Sequence, residues 1–300
     1  MTTDDKEKKT VETAREAFTN DSAFMIAYER AIETETEPSD TRLVNDPFAR
    51  MLAGDKGQDL SDSFGVTMAP KFGLWPDFHK NWTVVRTKFI DDHIARIVRE
   101  NEMEIESKTN EDQSTSSTRQ QLQFLNLGAG LDTRSLRLES MARIAASYEV
   151  DMSAINGPKA ALFEAIGAGT AKYPFLCPRK IVTANMTQEG ELEASLLESG
   201  FERAMPTIVL AEGLIMYLGD KAEAFLEDVS RIVVAPGSWL ILNFIEHPGL
   251  DFEKVHALLV EGGWKDLVFN SFGDDVLDYG RFEKGYKSST AFSFVVCRKE

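Results

Sequence analysis

The chain has 300 residues, of which 43% are hydrophobic, and 33 Lys and Arg against 49 Asp and Glu leave a formal net charge of −16. That balance argues against nucleic acid and anionic membrane as partners, because both call for a dense basic face. Two cysteines, Cys177 and Cys297, are too few for a disulfide framework or a zinc cluster, so no metal is expected.

No apolar run nears the roughly 20 residues that span a bilayer. The opening MTTDDKEKKT also lacks the apolar core of a signal peptide, and the expected location is the cytoplasm. Residues 1–10 are predicted to be a disordered tail. Residues 11–100 are predicted to be a helical region, beginning with helical spacing of Ala14, Phe18, Phe24, Ile26, Ala27 and Ala31 between Val11 and Ile32. Asn45-Asp46-Pro47 punctuates the chain before a short helix over Phe48–Ala53. An aromatic stretch over 61–82 carries Phe64, Phe72, Trp75, Phe78 and Trp82. A firmer helix over Trp82–Glu100 follows, with Val85, Phe89, Ile90, Ile94, Ile97 and Val98 on its apolar face. Residues 101–119 are almost wholly polar and are predicted to be a flexible linker.

From Gln123 the period changes. Apolar runs at Phe124–Leu127, Ser147–Val150, Lys180–Thr183, Thr207–Ala211, Ser238–Phe244 and Phe292–Val296 are separated by helical stretches at Ile155–Ile166, Gly190–Ser199, Lys221–Val234 and Phe252–Gly262. This alternation predicts one α/β domain over 120–300, a doubly wound, mostly parallel sheet covered on both faces.

The strongest chemical signal is QFLNLGAGLDTRSLRL, an apolar run leading into Gly128, Ala129 and Gly130. Glycines let the backbone turn sharply and let a ligand approach it closely. Dinucleotide enzymes share such a turn, but their third glycine would fall at Thr133, and Asp132 stands where a pyrophosphate needs positive field. An aspartate there suits a ligand with an ammonium group, such as the methionine end of S-adenosylmethionine; alternatively it is a plain helix cap. Asp151 ends the second strand, 21 residues after Gly130, where a carboxylate can accept both ribose hydroxyls; Met152 follows it in the candidate cofactor set. Asn185 and Met186, after the third strand, can meet adenine by amide and apolar contact, though a turn-forming Asn fits equally. Glu212 closes the fourth strand toward the same crevice, or caps the next helix.

Together these segments resemble the leucine carboxyl methyltransferase family, within the class I S-adenosylmethionine-dependent methyltransferases, and its bacterial and polyketide-tailoring branch most closely. SAFMIAYERAIETE, LVNDPFARMLAG, VVRTKFIDDHI, LNLGAGLDTR, YEVD and LAEGLIMYL occur in family order, from about Ala23 to the final strand. The resemblance implies a seven-stranded Rossmann-like sheet with an added N-terminal helical lid, and S-adenosylmethionine as cofactor. It implies that Arg86 pairs with the cofactor carboxylate, Gly128 belongs to the cofactor turn, Asp151 holds the ribose, and Glu212 is the family's acidic residue on the fourth strand. Asn185-Met186 departs from the family's usual Asp-Leu, and the polar stretch 101–119 is longer than usual.

The expected activity is O-methylation of a small-molecule carboxylate or hydroxyl. A carboxylate acceptor needs no base, whereas a hydroxyl benefits from one. Glu212, Tyr217 and His247 form the expected catalytic set; His79 is the other histidine placed near a pocket, and either histidine fits an incidental surface position. Phe72, Trp75, Phe78 and Trp82 line an acceptor pocket or form the lid's own core. Protein C-terminal carboxyl methylation, a catalytically silent cofactor binder and an NAD-dependent oxidoreductase are the competing readings. Asp132 and Thr133 count against the oxidoreductase, and the set Arg86, Asp151 and Glu212 counts against a silent relic. A monomer or homodimer is expected.

Overall fold

LQFLNL and TIVLA must sit between two covering layers, because each carries large apolar side chains at adjacent positions, hence on both faces, and neither face can be left to water. In the computed structural model, which describes residues 21–111, 121–246, 249–283, 286 and 292–300, they form β1 (Leu122–Leu127) and β4 (Thr207–Ala211), buried at every position. Around them lie β2 (Ile144–Asp151), β3 (Arg179–Thr183), β5 (Trp239–Ile245), β6 (Lys265–Ser271) and β7 (Phe292–Arg298). The seven strands run in the order β3-β2-β1-β4-β5-β7-β6. β7 is antiparallel to both of its neighbours, and the other pairings are parallel. The order reverses direction between β1 and β4, which opens a crevice beyond their carboxyl ends.

Alternation along β1 divides the core. Leu125 and Leu127 join the cluster under α6 (Glu191–Glu198), α8 (Ala222–Ile232) and α9 (Phe252–Glu261). Phe124 faces the opposite cluster, built on α3 (Phe78–Glu111) with Trp82, Ile90 and Ile94. The remaining helices on the sheet are α4 (Arg134–Arg137), α5 (Ser153–Ala165) and α7 (Ile215–Leu218). A third cluster joins α1 (described over 21–36) and α2 (Ala49–Ser63) to Leu131, Leu136 and Phe163, so the N-terminal layer crosses the end of the sheet above the glycine turn.

Three boundaries differ from expectation. α3 runs through residues 101–111, where a linker is predicted; Glu, Met and Lys are good helix formers and continue a packed helix without an apolar repeat in the sequence. α2 continues past Ala53 to Ser63, bending at Gly54, and passes into a π-helical turn over Phe64–Met68. β6 escapes the apolar-run reading because it is an edge strand in which only Ser271 is buried. The predicted tail 1–10, residues 11–20 of the first predicted helix and 112–119 of the linker lie outside the described residues. No described helix is long and apolar enough to cross a membrane.

Candidate active site

β1 ends in a turn whose two glycines both have positive φ, 69° at Gly128 and 40° at Gly130. A Cβ at Gly128 would also come within 3.0 Å of the Leu214 side chain, so glycine is required there on both counts. The turn is tied to β2: the N–H groups of Gly128 and Ala129 donate to the Val150 carbonyl, and Gly130 N–H donates to Asp151 Oδ2 at 2.8 Å. Asp151 Oδ1 accepts the Met152 N–H at 2.8 Å. Burial pushes the Asp151 carboxyl above its ordinary range, against these two bonds.

Beside the turn, four arginines alternate with four carboxylates. Arg30 of α1 donates to Asp46 at 2.9 Å, and Arg137 lies 3.7 Å from Asp46 and 2.6 Å from Asp91. Arg134 pairs with Asp91 at 2.6 Å, Asp132 at 2.5 Å and Glu212 at 2.8 Å, and Arg86 closes the series on Glu212 at 2.9 Å. Burial works to raise Asp46, Asp132 and Glu212, but the flanking arginines outweigh it and hold all three below their ordinary values. Such a cluster is stable only when complete, since removing one member of a buried pair costs about 3–5 kcal/mol.

This network bears on two expectations. Asp132 takes Asn126 Nδ2 at 2.9 Å, the Arg134 backbone N–H at 2.6 Å and the Arg134 guanidinium, so its charge is already balanced by the protein. It therefore tethers the turn, and Thr133, not Asp132, precedes α4. Glu212 has one oxygen on Arg86 and the other on Arg134, and an ionised, doubly paired carboxylate is a poor proton acceptor. Gly213, with φ of 62°, follows it, and its N–H donates to Asn243 Oδ1 at 3.2 Å.

Arg86, Gly128, Ala129, Gly130, Asp132, Asp151, Glu212 and Tyr217 line one cavity, which Ser22, Ala23, Ile26 and Arg30 of α1 cover. Arg86 uses Nε for Glu212 and turns Nη1 toward Gly213, where a Cβ would stand 3.6 Å from it. Met152, Asn185 and Met186 are not in this lining. Met152 precedes α5 with its side chain partly in solvent, Asn185 Oδ1 closes a local turn on Thr187, and Met186 belongs to the core. Ile155 lines the cavity from α5 instead. His247 lies outside the described residues.

A second cavity of about 390 Å³ shares Arg86, Gly213 and Tyr217 with the first and is walled by Phe64, Phe72, Phe78, Trp82, Met216 and Phe292. Of the four lid aromatics predicted for an acceptor pocket, Phe72, Phe78 and Trp82 line it, while Trp75 packs on Phe78 and Tyr286. His79 stands in this wall with Nδ1 on Glu29 of α1. Sequence reasoning passed over Arg30, Asp46, Asp91, Arg134, Arg137 and Glu29. All of these stand inside the quoted motifs, and their charge within otherwise apolar segments was the available signal.

Residues 23–229 match the family model described as leucine carboxyl methyltransferase. Among similar proteins, one from Mycobacterium avium (strain 104), named "Putative S-adenosyl-L-methionine-dependent methyltransferase", is 29% identical over 269 residues, covering 86% of this chain and 80% of that protein. A protein of the same name from Mycolicibacterium vanbaalenii is 26% identical over 281 residues, covering 87% of this chain and 82% of that protein. Solved structures that resemble the chain include a DUF574 family protein from Streptomyces avermitilis, with TM-score 0.48, 15% identity and coverage of 93% and 97% of the two chains. Magnesium protoporphyrin IX methyltransferase from Synechocystis PCC 6803 with bound S-adenosylmethionine has TM-score 0.43, 15% identity and coverage of 81% and 96%.

Proposed function

The chain belongs to the leucine carboxyl methyltransferase family and is an S-adenosylmethionine-dependent methyltransferase, and from that premise we propose that it O-methylates a small molecule at a carboxylate or hydroxyl group. The observation that carries this reading is the meeting of two cavities at Arg86, Gly213 and Tyr217, one lined by charged residues and the glycine turn, the other apolar.

The first cavity suits the methyl donor. Gly128 and Gly130 leave the turn backbone bare, and the Nη groups of Arg86 have no partner among the described residues, which fits a donor carboxylate. Asp151 keeps lone pairs for a ribose diol beyond the two N–H groups it accepts. When bound, S-adenosylmethionine supplies a methyl group made electrophilic by its sulfonium. The chain's own residues then hold the acceptor in line and keep water out, the task of the α1 cover and the aromatic wall.

A mostly apolar cavity of about 390 Å³ is of a size that suits a small acceptor. Cytoplasmic residence is part of this reading, supported by Cys177 and Cys297 as buried free thiols. Calorimetry with S-adenosylmethionine and with NAD, followed by mass spectrometry of products from a small-molecule library, tests it. Micromolar donor binding and a product heavier by one methyl group are expected. Tight NAD binding, or product only on peptide C-termini, overturns it.

A further inference from the structure

One buried carboxylate stands outside the ion network and faces a histidine. Glu29, on α1 and 1% exposed, receives Thr83 Oγ1 at 2.6 Å and Ser61 Oγ at 3.1 Å. Its two oxygens also lie 2.9 and 2.8 Å from His79 Nδ1. Hydroxyls from α2 and α3 and an imidazole nitrogen thus converge on a group that, as a carboxylate, only accepts. Nδ1 therefore carries a hydrogen, which leaves Nε2 as the ring nitrogen that can take a proton; Nε2 makes no hydrogen bond among the described residues. His79 lines the apolar cavity beside Phe64, whose ring centroid is 4.7 Å from its own.

The rest of that wall decides between the two acceptor classes. An ionised carboxylate entering a cavity of Phe72, Phe78, Trp82 and Met216 would shed water with little in return, since Arg86 has Nε on Glu212 and, in the reading above, its Nη groups on the donor carboxylate. A neutral hydroxyl enters at lower cost and then needs its proton removed. Aromatic rings around about 390 Å³ suit a flat, ring-bearing acceptor.

We propose that His79 is the general base of this enzyme and that its acceptor is a hydroxyl on an aromatic small molecule, with Glu29 as positioning residue. This rests on the methyltransferase reading above. The acceptor oxygen forms a bond to the methyl carbon as the carbon–sulfur bond breaks, sulfur keeping the electron pair. The hydroxyl proton passes to His79 Nε2, leaving a methyl ether and an imidazolium paired with Glu29. Among the described residues, Arg86 and Tyr217 are the other titratable groups lining that cavity. Because Glu29 rides on α1 and His79 on α3, the base is oriented only when α1 is seated on α3.

Wild-type protein, His79→Ala and Glu29→Gln are supplied with S-adenosylmethionine and with 2-naphthol, 1,3-dihydroxynaphthalene or 2-naphthoic acid; products are read by mass spectrometry and donor affinity by calorimetry. Methyl ethers of the two phenols are expected from the wild type. His79→Ala should lower kcat on them about 100-fold or more, with donor Kd within about twofold, and added imidazole should restore at least about tenfold of the rate. That rescue also shows the variant to be folded. Glu29→Gln should lower kcat less and leave KM nearly unchanged. Methylation of 2-naphthoic acid alone overturns the proposal. So does a donor-bound enzyme that methylates no probe, a His79→Ala rate within about threefold of wild type, or a His79→Ala loss that imidazole does not restore. Failure of the wild type to bind the donor is a separate result, which removes the methyltransferase reading and the base together.

Discussion

Asp151 joins the glycine turn to the start of α5 through two backbone N–H groups and still faces the donor cavity. Replacing it with alanine removes the acceptor for a ribose diol and leaves both N–H groups to find water. Two hydrogen bonds to a charged group, at roughly 1.5–3 kcal/mol each, translate into a Kd for S-adenosylhomocysteine raised by about 100-fold or more in Asp151→Ala. Titration calorimetry measures it, and an unchanged Kd removes the ribose assignment. His93 provides a second test, of stability. Burial and the neighbouring Arg96 push its pKa down to about 4 from 6.5, although Glu100 pulls the other way. The fold thus prefers neutral His93, while the unfolded chain takes up a proton below about pH 6.5. The stability this preference contributes is full above pH 6.5 and is lost as pH falls toward 4. Asp46, Asp132 and Glu212, held below their ordinary values, give up their contribution only at lower pH. Urea unfolding between pH 7 and 4.5 should therefore show a decline that His93→Gln flattens; an identical slope in the variant would contradict the assignment.

α3 brings together groups that serve both cavities: His79 and Trp82 in the apolar wall, Arg86 where the two cavities meet, and Asp91 in the ion network. Trp82 is 2% exposed and packs its ring at 5.1–5.3 Å from those of Phe272, Phe292 and Phe294, with the Arg86 guanidinium 5.6 Å above it. Trp82→Ala should cost about 3–5 kcal/mol by denaturant melts, because the surrounding rings cannot collapse into the space. Donor affinity should weaken as well, since Arg86 loses its support. A loss under about 1 kcal/mol would mean that the wall is loosely packed. The apolar face of α3 was legible because its spacing is regular, and β1 and β4 were legible because their runs are mostly apolar, with Gln123, Asn126 and Thr207 as the polar members. The extension over 101–111 was not, since helix propensity without an amphipathic face resembles a polar linker. β6 was hidden by its half-exposed edge position. The glycine turn, Arg86, Asp151 and Glu212 were readable as motif residues. Their partners were not, because Arg30 meets Asp46, Asp46 meets Thr133 and Glu29 meets His79 only after the chain has folded.

Across the whole molecule, charge is balanced inside and unbalanced outside. The four arginines and four carboxylates of the network cancel, so the net charge of −16 resides in the rest of the chain, where it favours solubility. Arg30 of that network and two separate ion pairs fasten α1 beside the cavity. Arg30 reaches Asp46 and the Leu131 carbonyl at 2.8 Å, Glu29 holds His79, and Glu33 takes Arg281 at 2.7 Å. Ser22, Ala23, Ile26 and Arg30 of α1 line the cavity, so a lift of α1 that admits or releases a donor would break the buried Arg30–Asp46 pair, which must then re-form. Binding stabilises the seated state by mass action, so amide hydrogen exchange over residues 21–36 should slow by about tenfold or more with saturating S-adenosylhomocysteine. β1 and β4, buried in both states, should change little by comparison. Arg30→Met removes the cation between Asp46 and the turn; it should raise exchange in α1 without donor and speed donor dissociation, measured by stopped-flow displacement. Equal α1 exchange with and without the donor would mean that the cover is permanently seated, and the donor would then need a route that avoids α1.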